Sequence, residues 1–515
     1  MNVAHSLTGK HLVVTGFTGF LAKVYVAMLL EHAPHVGRIT LLVRPRSQRM
    51  NARARVEKEV DTSPVFRRLR ELHGPGLAAW LGARLEAVDA DVEKPLCGLS
   101  PEALQGLASA DLVVHCAGLT DFQPDPLRAL SVNVAGAIHL AGLATQLGVP
   151  MVHVSTCYVA GRVQGEVPET LEVGLSPSGE RFDPAAEVRA LQLACRRGEA
   201  RDSASARLEV ATERAERLGW VNIYTYTKGL AEHLIASEGV TIVRPSIVEC
   251  SRTFPFPGWN EGLNTAGPLA WLITTAFRRL PTEPDHRFDV IPVDDVARGL
   301  ATISAAALEG RAGGVFQLAS TDVNPLTFGR CVELTGLAMR RWARKGGGTG
   351  LDQSLVRHLD PVPSPSGGWV PVPTLNRWLA SARRGLADTE VPSWLDRVAG
   401  GAADELRDRL ERRLEQGHRT VKRVDAMLEL YRPFISEHDY CFHTRRIRQL
   451  QAADGPFVCD IEHLDWRHYW VDIEYPGLRT WCMPTLAGDK PPRDPASVPA
   501  FRLVTDEALQ RVASK

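Results

Sequence analysis

The segment between Leu12 and Met28 constrains the fold more than any other part of the chain. Three apolar residues run into a glycine-rich turn, and apolar residues then recur at helical spacing. A buried strand, a glycine turn and an amphipathic helix in this order open a doubly wound α/β sheet and predict a dinucleotide site. Gly16 permits the tight turn, Gly19 lets the backbone approach a pyrophosphate, and the helix N-terminus offers free N–H groups. The predicted cofactor-binding residues of this turn are Thr15, Gly16, Phe17, Thr18, Gly19, Phe20 and Leu21.

Short apolar runs alternate with helical patterns from residue 12 to about residue 336. Such runs, separated by helices, are typical of buried parallel strands. A polar segment rich in Arg and Ala, residues 182–220, interrupts the alternation and predicts a helical insertion at the carboxyl edge of the sheet. We therefore predict an α/β protein with a doubly wound, Rossmann-type parallel sheet in a cofactor-binding domain over residues 1–340. The predicted strands are Leu12–Val14, Ile39–Val43, Leu85–Val88, Leu112–Val114, Met151–Val154, Val240–Val243 and Gly314–Leu318.

The composition changes after residue 340. Residues 341–372 are rich in Gly and Pro and predict a boundary region. From residue 373 to residue 515 the pattern predicts a smaller, mainly helical C-terminal domain. One helix of that domain would carry Leu406, Leu410 and Leu414 on one face, either packed on the domain itself or free to contact a membrane or a partner.

Charge and cysteine usage exclude several classes of protein. The 515 residues carry 60 basic and 60 acidic side chains with no basic block, which argues against a nucleic-acid partner. The longest clearly apolar run, residues 267–277, is too short to span a bilayer, so we expect no transmembrane segment, although peripheral membrane contact stays open. The start of the chain does not resemble a signal peptide. Nine scattered cysteines without a C-x-x-C pair predict a reduced, cytoplasmic protein with no metal site.

The end of the second predicted strand indicates which dinucleotide is bound. An NAD enzyme often places a carboxylate there to bind the ribose 2′-hydroxyl, but this chain has Arg44-Pro45-Arg46. A guanidinium matches a 2′-phosphate in charge and geometry, so Arg44 and Arg46 predict NADPH as the cofactor. The alternative is that two exposed arginines in an Arg-rich chain have no role.

A tyrosine and a lysine four residues apart predict the reaction chemistry. Tyr224 and Lys228 would lie one above the other on a helix, where the ammonium lowers the pKa of the phenol. Such a pair can donate a proton to an oxygen that gains charge during hydride transfer. Lys228 is the single lysine between Lys94 and Lys345 in a chain that strongly prefers arginine. Tyr226 has no lysine at this spacing and would face about 160° away from Tyr224.

Hydroxyl groups follow the fifth predicted strand. Ser155 and Thr156 lie at the carboxyl end of the sheet, where a hydroxyl can hold a substrate carbonyl beside the tyrosine. Cys157 comes next and raises the alternative of a covalent thioester mechanism. It lacks a histidine partner nearby in sequence, and a free cysteine is more often a small buried apolar residue.

With these motifs the chain resembles an extended short-chain dehydrogenase/reductase and, more narrowly, the male-sterility-type fatty acyl-CoA reductases. The resemblance covers nearly the whole chain and is looser in the C-terminal domain. The residues that carry it include Thr15–Leu21, Asp91-Val92, His115-Cys116-Ala117, Asn133, Ser155–Val159, Tyr224 with Lys228, Arg244–Val248, Pro257-Gly258-Trp259 and Ile291–Asp294. Ala22 replaces the usual glycine of the family, and Gly118 begins a more polar version of the stretch that lines the nicotinamide pocket.

The resemblance implies an activity and roles for individual residues. Hydride from NADPH would reduce the thioester of a long-chain acyl-CoA, or of an acyl carrier protein, and a second reduction of the aldehyde would give the primary fatty alcohol. Tyr224 with Thr156 or Ser155 would stabilise the oxyanion, Lys228 would hold the nicotinamide ribose, Asn133 would orient Lys228 through water, and Asp91 would contact the adenine. The other cofactor contacts that the resemblance implies are Val92, Ala117, Gly118, Pro245, Ser246 and Ile247.

Three other functions fit parts of the sequence. A nucleotide-sugar enzyme of the same fold would leave the C-terminal residues unexplained. A non-catalytic cofactor-binding regulator would have no use for Tyr224 with Lys228. A thioester reductase that stops at the aldehyde is excluded by no residue of the sequence. We expect the insertion 182–220 and the C-terminal domain to form the walls of an apolar tunnel that retains the aldehyde.

Overall fold

A computed structural model of the 515-residue chain describes most of the residues. The described residues are 1–262, 266–274, 279–280, 282–345, 361–363, 381, 415, 422, 426–450, 455–487 and 489–494. The predicted leucine face at residues 406–414 and most of the predicted boundary region lie outside them.

Seven parallel strands form the central sheet. They are β1 (His11–Thr15), β2 (Arg38–Val43), β3 (Leu85–Asp89), β4 (Leu112–His115), β5 (Met151–Val154), β7 (Val240–Pro245) and β11 (Gly314–Leu318), in the order β11-β7-β5-β4-β1-β2-β3. Each matches one of the seven predicted strands, so the predicted doubly wound sheet is confirmed. The strand order reverses between β1 and β4, which places the ligand crevice of such a fold at their carboxyl ends.

The remaining strands form short pairs outside this sheet. β8 (Ile247–Glu249) pairs with β10 (Val290–Pro292), β9 (Arg279–Leu280) with β12 (Val362–Pro363), and β6 (Gly165–Val167) with β13 (Tyr440–Phe442). The last pair joins the C-terminal region to the loop that follows β5.

Helices cover both faces of the sheet because its strands are apolar on both sides. Helices α2 and α13 pack together on one face, while α8 and α11 belong to the core on the other. The α-helices are α1 (Val3–Ser6), α2 (Phe20–His32), α3 (Ala52–Thr62), α4 (Arg67–His73), α5 (Leu77–Gly82), α6 (Pro101–Gly106), α7 (Pro126–Ala129), α8 (Gly136–Leu147), α9 (Pro184–Cys195), α10 (Ala204–Arg217), α11 (Ile223–Ile235), α12 (Ala266–Thr274), α13 (Val293–Leu308), α14 (Phe328–Arg344), α15 (Arg445–Leu450), α16 (Trp466–His468), α17 (Tyr475–Gly477) and α18 (Met483–Ala487).

Two details bear on the predicted domains. Helices α9 and α10 fall inside residues 182–220, where the sequence predicts a helical insertion. The predicted boundary at residue 340 falls within α14, which continues to Arg344 as one helix with Leu334, Ala338 and Ala343 buried. The domain boundaries stay predictions.

The C-terminal region is built partly from π-helical turns that dock on the first domain. These turns are Pro433–Glu437, Tyr469–Glu474 and Leu478–Cys482. The Arg287 guanidinium pairs with Asp439 at 2.6 Å, and the Thr444 hydroxyl donates to Asp322 at 2.8 Å. Buried residues of the C-terminal region such as Phe434 and Phe442 also belong to one hydrophobic core with Leu12 and Ile39 of the central sheet.

One helical stretch among the described residues, Pro126–Leu147, is long and apolar enough by length and composition to cross a membrane. Half of its most apolar window is buried inside the protein. It contains α7, the π-helical turn Leu130–Ala135 and α8, which pack against the sheet. Such a stretch is weak support for a membrane span, because the core helices of α/β proteins have the same composition.

Candidate active site

The crevice begins at the turn after β1. Gly16 has a φ of 82°, and a Cβ there would lie 2.7 Å from the backbone nitrogen of Ala117. Any side chain at this position would therefore collide with the end of β4. The Ala117 N–H donates to the Thr15 hydroxyl at 3.2 Å, which holds the two strand ends together. This contact explains why the turn requires glycine, as the sequence predicts.

The turn leads into the N-terminus of α2. The Gly19 N–H donates to the Gly16 carbonyl at 2.8 Å, and Gly19 begins the helix without a side-chain cap among the described residues. The first N–H groups of α2 can therefore bind an anion such as a pyrophosphate. Phe17 is buried and packs on Phe66, so it can serve a cofactor through its backbone alone.

The other residues of the turn are partly accessible. Thr18, Phe20 and Leu21 are all half-buried. The Phe20 ring packs on Trp259 of the Pro257–Trp259 motif, with ring centres 5.2 Å apart. The Pro257–Trp259 motif therefore lies against the start of the dinucleotide helix.

Three arginines cluster at the end of β2. Arg44 and Arg46 are exposed, and Arg44 pairs with Glu93 at 2.8 Å. Arg55, on α3, donates to the Arg44 carbonyl and, at 3.1 Å, to the Thr18 hydroxyl beside the glycine turn. Burial, followed by the charges of Arg46 and Arg44, lowers the pKa of Arg55. Sequence reasoning missed Arg55, because only the packing of α3 brings it to this position.

The residues after β3 form a second side of the crevice. The Asp91 carboxylate accepts the Glu93 N–H at 3.2 Å, and the Val92 carbonyl lies 2.8 Å from a ring nitrogen of His139 on α8. Glu93 also binds Arg128 and Ser131 of the segment that precedes α8. The predicted adenine-contacting residues are therefore held in place from α8 and its preceding turn.

The predicted catalytic tyrosine lies near the start of α11, which Asn222 caps by accepting the Thr225 N–H at 2.8 Å. The Thr156 hydroxyl lies close enough to the Tyr224 phenol to lower its pKa. The Ser155 hydroxyl has no partner among the described residues. Of the two predicted hydroxyls, Thr156 is therefore the one that the fold brings to Tyr224.

The pKa of Tyr224 differs from the sequence-based expectation. Burial raises it to about 12, and the Thr156 hydroxyl opposes only part of this shift. The expected lowering by Lys228 is wrong for this structure, because the Lys228 ammonium donates to the Val154 carbonyl at 2.9 Å. Tyr224 therefore stays protonated at neutral pH and can act as a proton donor.

Lys228 lies beneath Gly118 at the end of β4. It is 3% exposed, and a Cβ on Gly118 would approach the Lys228 nitrogen to 3.1 Å. Burial is the largest cause that lowers the pKa of Lys228, to about 8. The ammonium is therefore poised to exchange a proton near physiological pH.

The Asn133 side chain is hydrogen-bonded both to the loop after β4 and to α11. Its amide oxygen accepts the Leu119 N–H at 2.8 Å, and its amide nitrogen donates to the Leu119 carbonyl and the Thr227 hydroxyl, both at 3.0 Å. Asn133 therefore braces the loop after β4 against α11. A Cβ on Gly118 would lie 3.4 Å from the Asn133 amide oxygen and 3.1 Å from the Lys228 nitrogen, so the expected link between the two through water stays a prediction.

The prediction that Tyr226 faces away from the site is confirmed. Its ring is fully buried, and its hydroxyl donates to Glu187 of α9 in the insertion. Arg214 of α10 binds the same carboxylate with bonds of 2.9 and 2.7 Å. The insertion is therefore anchored on the side of α11 that is opposite to Tyr224.

Cys157 has the environment of a structural residue. It is fully buried, its thiol donates to the Arg244 carbonyl at 2.9 Å, and burial raises its pKa well above the usual range. Such a thiol is a poor nucleophile. The geometry therefore argues against a covalent mechanism through Cys157.

An aromatic wall covers the crevice opposite Tyr224. Phe122 stacks on Tyr224, with ring centres 6.2 Å apart, and packs on Tyr431 and Phe434 at 5.6 and 5.3 Å. Phe434 also contacts Tyr158 at 5.0 Å. Because Tyr431 and Phe434 belong to the C-terminal region, that region supplies part of the apolar surface around the site.

The remaining predicted cofactor residues follow β7. The Ser246 N–H donates to the Leu318 carbonyl at 2.9 Å, and the Ile247 N–H donates to the Asp289 carbonyl at 3.3 Å. Pro245 ends β7, the strand beside β5. These residues lie at the carboxyl edge of the sheet, and these two hydrogen bonds join them to Leu318 and Asp289 and not to Tyr224 or Lys228.

Fold and site together define a dinucleotide-dependent oxidoreductase with a Rossmann-type domain. The male sterility protein family, a family with an NAD-binding domain, matches residues 14–300, which is more than half of the chain. The chain belongs to this family, and its relatives are the fatty acyl-CoA reductases. The family match favours the thioester-reductase interpretation over the nucleotide-sugar alternative.

The relatives differ in how much of their length is matched. Probable fatty acyl-CoA reductase 5 of Arabidopsis thaliana is 27% identical over 93% of this chain and 99% of that protein. The chloroplastic fatty acyl-CoA reductase 2 of the same plant is 31% identical, but the match spans only 58% of that protein. The alcohol-forming fatty acyl-CoA reductase of Simmondsia chinensis is 29% identical over 65% of this chain and 71% of that protein.

A solved structure with the same fold is the terminal R domain of the myxalamid PKS-NRPS biosynthetic pathway. It covers 94% of this chain with a TM-score of 0.53 and 17% identity. At this identity the likeness shows the fold alone.

Proposed function

We propose that this protein reduces long-chain acyl-CoA to the primary fatty alcohol with NADPH. The single observation that carries the proposal is the packing of the Tyr224 ring, next to Thr156, against the aromatic wall of Phe122, Tyr431 and Phe434. A proton donor beside an apolar surface suits a carbonyl that is attached to an alkyl chain.

The residues of the crevice fit a dinucleotide. The Gly16 turn leaves no room for a side chain, and the N-terminus of α2 can hold the pyrophosphate. Arg44, Arg46 and Arg55 support the choice of NADPH, because each repels the others and a 2′-phosphate would relieve that repulsion. The bound cofactor supplies the hydride.

The chain's own residues handle the substrate oxygen and the protons. Thr156 and Tyr224 hold the carbonyl oxygen, and Tyr224 donates its proton as negative charge develops there. In the first reduction the resulting hemithioacetal releases its hydroxyl proton to solvent as the C–S bond breaks, and the departing sulfur takes a proton from solvent, so that the aldehyde forms and CoA leaves as the thiol. In the second reduction the same tyrosine protonates the aldehyde oxygen to give the alcohol.

The aromatic wall supports the alcohol as the end product. An aldehyde that is released into water exposes its chain at a cost of about 0.8 kcal/mol for each methylene. An apolar wall beside Tyr224 retains the aldehyde until it is reduced again. The alternative is a reductase that stops at the aldehyde and accepts either CoA or an acyl carrier protein.

The stoichiometry of the reaction tests the proposal. Purified protein is incubated with palmitoyl-CoA and excess NADPH, and NADPH oxidised, CoA released and the organic product are measured together. Two NADPH per CoA with hexadecanol as product supports the proposal. One NADPH per CoA with accumulating aldehyde assigns the chain to the aldehyde-forming alternative, and no CoA release refutes thioester reduction.

We also propose a cytoplasmic location without a nucleic-acid partner. The odd number of scattered cysteines fits a reducing compartment, and the balanced charge offers no basic surface to a polynucleotide. Fractionation of cells that produce a tagged chain, with and without a salt wash of the membranes, would separate this location from peripheral membrane attachment.

A further inference from the structure

Three polar side chains form a row across the sheet beneath the site. Thr15, His115 and His153 occupy paired positions at the carboxyl ends of β1, β4 and β5, and all three are fully buried. We call them the histidine row. Val113 and Met151 precede the two histidines by two positions and belong to the core that includes α8 and α11. Because side chains alternate along a strand, the histidine row faces the helix that carries Lys228.

Most of the hydrogen-bonding capacity of the row is not used by protein atoms. The Thr15 hydroxyl lies 2.7 Å from Nδ1 of His115. Nε2 of His115 and both ring nitrogens of His153 have no partner among the described residues, although all three atoms are buried. A buried polar atom without a partner costs about 1–3 kcal/mol, and ordered water is the usual partner that removes this cost.

Lys228 is the charged group beside the row. Its ammonium donates to the carbonyl of Val154, the residue that follows His153. Burial and then the charge of Lys228 lower the pKa of both histidines, that of His115 to about 3. Both rings are therefore neutral at physiological pH, and a neutral imidazole can accept a proton on one nitrogen while it donates from the other.

Asn133 is a polar neighbour of Lys228, and its amide also bonds to Leu119 and Thr227. The other titratable groups that act on Lys228 are Cys116 at the end of β4 and Glu232 of α11. Glu232 forms a buried ion pair with Arg244, and burial raises the pKa of Cys116 to about 12. The Cys116 thiol therefore keeps its proton at neutral pH.

We propose that His153 and His115 are positioning residues that hold ordered water against the Lys228 ammonium and through it restore the proton of the Tyr224–Lys228 pair. This inference rests on the proposed function. In each reduction the Tyr224 O–H bond breaks and its proton joins the substrate oxygen. The phenolate regains a proton by way of Lys228, whose nitrogen takes one from the water on the histidine row. Bulk water is the final source of the proton.

The test compares His153→Phe with Met151→Leu. The first change keeps a ring of similar shape but removes both nitrogens, and the control changes a residue of the same strand and face. In protein labelled with ¹³C at the lysine ε-carbon, the Lys228 signal is assigned by its loss in Lys228→Met and followed against pH. Removing the water desolvates the ammonium, so we expect the pKa of Lys228 to fall in His153→Phe and to stay unchanged in Met151→Leu.

Kinetics provide a second measurement. We expect His153→Phe to lower kcat by about ten- to a hundredfold. The upper value equals the smallest contribution that is typical of a positioned proton-transfer group, about a hundredfold. The alkaline limb of the kcat profile should move to lower pH and the solvent isotope effect should rise, while the Kd for NADPH stays unchanged. His153→Asn keeps hydrogen-bonding groups and should recover part of the rate. An unmoved Lys228 titration, with an unchanged isotope effect, overturns the proposal.

A third measurement needs no substitution. In the labelled wild-type protein, magnetisation transfer between long-lived water and the Lys228 ε-protons should be present, and its absence would overturn the proposal even if His153→Phe fails to fold. Both NMR measurements are made without substrate. Failure to reduce palmitoyl-CoA would therefore refute the proposed function without altering the result for the histidine row.

Discussion

Two tyrosines that are two residues apart in α11 should respond in opposite ways to the same substitution. Tyr224→Phe removes the proton donor to the substrate oxygen but little volume. A positioned general acid contributes about 10²–10⁴-fold to a rate, which corresponds to roughly 3–5 kcal/mol of barrier. We expect turnover with palmitoyl-CoA to fall by at least a hundredfold, with little change in the Kd for NADPH or in the melting temperature.

Tyr226→Phe should affect stability instead of catalysis. The variant loses the hydrogen bond from the buried Tyr226 hydroxyl to Glu187, while Glu187 keeps its ion pair with Arg214 at 2.7 Å. A hydrogen bond to a charged group is worth about 1.5–3 kcal/mol, so the melting temperature should fall by several degrees. Turnover per folded molecule should stay within about twofold of the wild type.

Steady-state kinetics, NADPH titration and calorimetry on both variants check this pair of expectations. Retention of more than about a tenth of the turnover by Tyr224→Phe, against a contribution of order 10²–10⁴, would refute its role as the acid. A loss of turnover in Tyr226→Phe as large as that in Tyr224→Phe would show that the two faces of α11 have been assigned wrongly.

Three further perturbations test other parts of the structure. Changing Arg44 and Arg46 to Ala should reduce the NADPH/NADH selectivity by tenfold or more, since each contact to a phosphate is worth about 1.5–3 kcal/mol. Arg55→Ala should reduce the selectivity further. Equal use of NADPH and NADH by the wild type would contradict the assignment of these arginines. Gly16→Ala should abolish NADPH binding measured by fluorescence, because the new methyl would meet β4 at 2.7 Å. Glu474→Gln should raise the melting temperature relative to wild type more at pH 9 than at pH 6. A difference in melting temperature that does not depend on pH would contradict the argument that Glu474 is buried with a raised pKa.

The last expectation follows from a buried carboxyl pair. Glu249 of β8 and Glu474 of the C-terminal region are both fully buried, and the charge of Glu474 adds to the burial that raises the pKa of Glu249. Burial raises the pKa of both groups, so the folded protein retains a proton that the unfolded chain releases above its ordinary pKa near 4.5. The wild type therefore loses stability as the pH rises from that value through the folded pKa. An amide in place of Glu474 removes one of the two titrating groups.

The sequence was sufficient to predict the sheet, because each strand is a short apolar run bounded by turns or helices. The same pattern predicted that Tyr226 faces away from Tyr224, since this depends only on the helical repeat. The partner of Tyr226 was not predictable, because Glu187 lies in the insertion and reaches α11 only through tertiary packing. The periodicity of a helix therefore predicts which side chains share a face of that helix. The residues that they contact depend on which other element packs against that face.

Ser155, Thr156 and Arg55 also show that the sequence does not predict tertiary contacts within the site. Ser155 and Thr156 are equivalent in sequence, but only the strand end decides which hydroxyl lies near Tyr224. Arg55 is separated from the Arg44–Arg46 pair by a turn and three residues of α3, and its contact with Thr18 depends on how that helix packs. The pKa of Tyr224 was misjudged because burial, which a sequence does not show, is the largest influence on it and raises it.

The position of the aromatic wall explains why the sequence motifs predict the type of reaction more readily than the acyl chain of the substrate. Every group that handles a proton near the reacting carbon, from Thr156 to Lys228, lies in the first domain and in recognisable motifs. The surface that would contact an alkyl chain includes Tyr431 and Phe434, about 200 residues later in the chain and in no motif of their own. Substitution of the C-terminal region should therefore change which chain lengths are reduced while the proton donor and the cofactor crevice stay the same. A single Rossmann-type domain can in this way serve different thioesters through the domain that packs over its crevice.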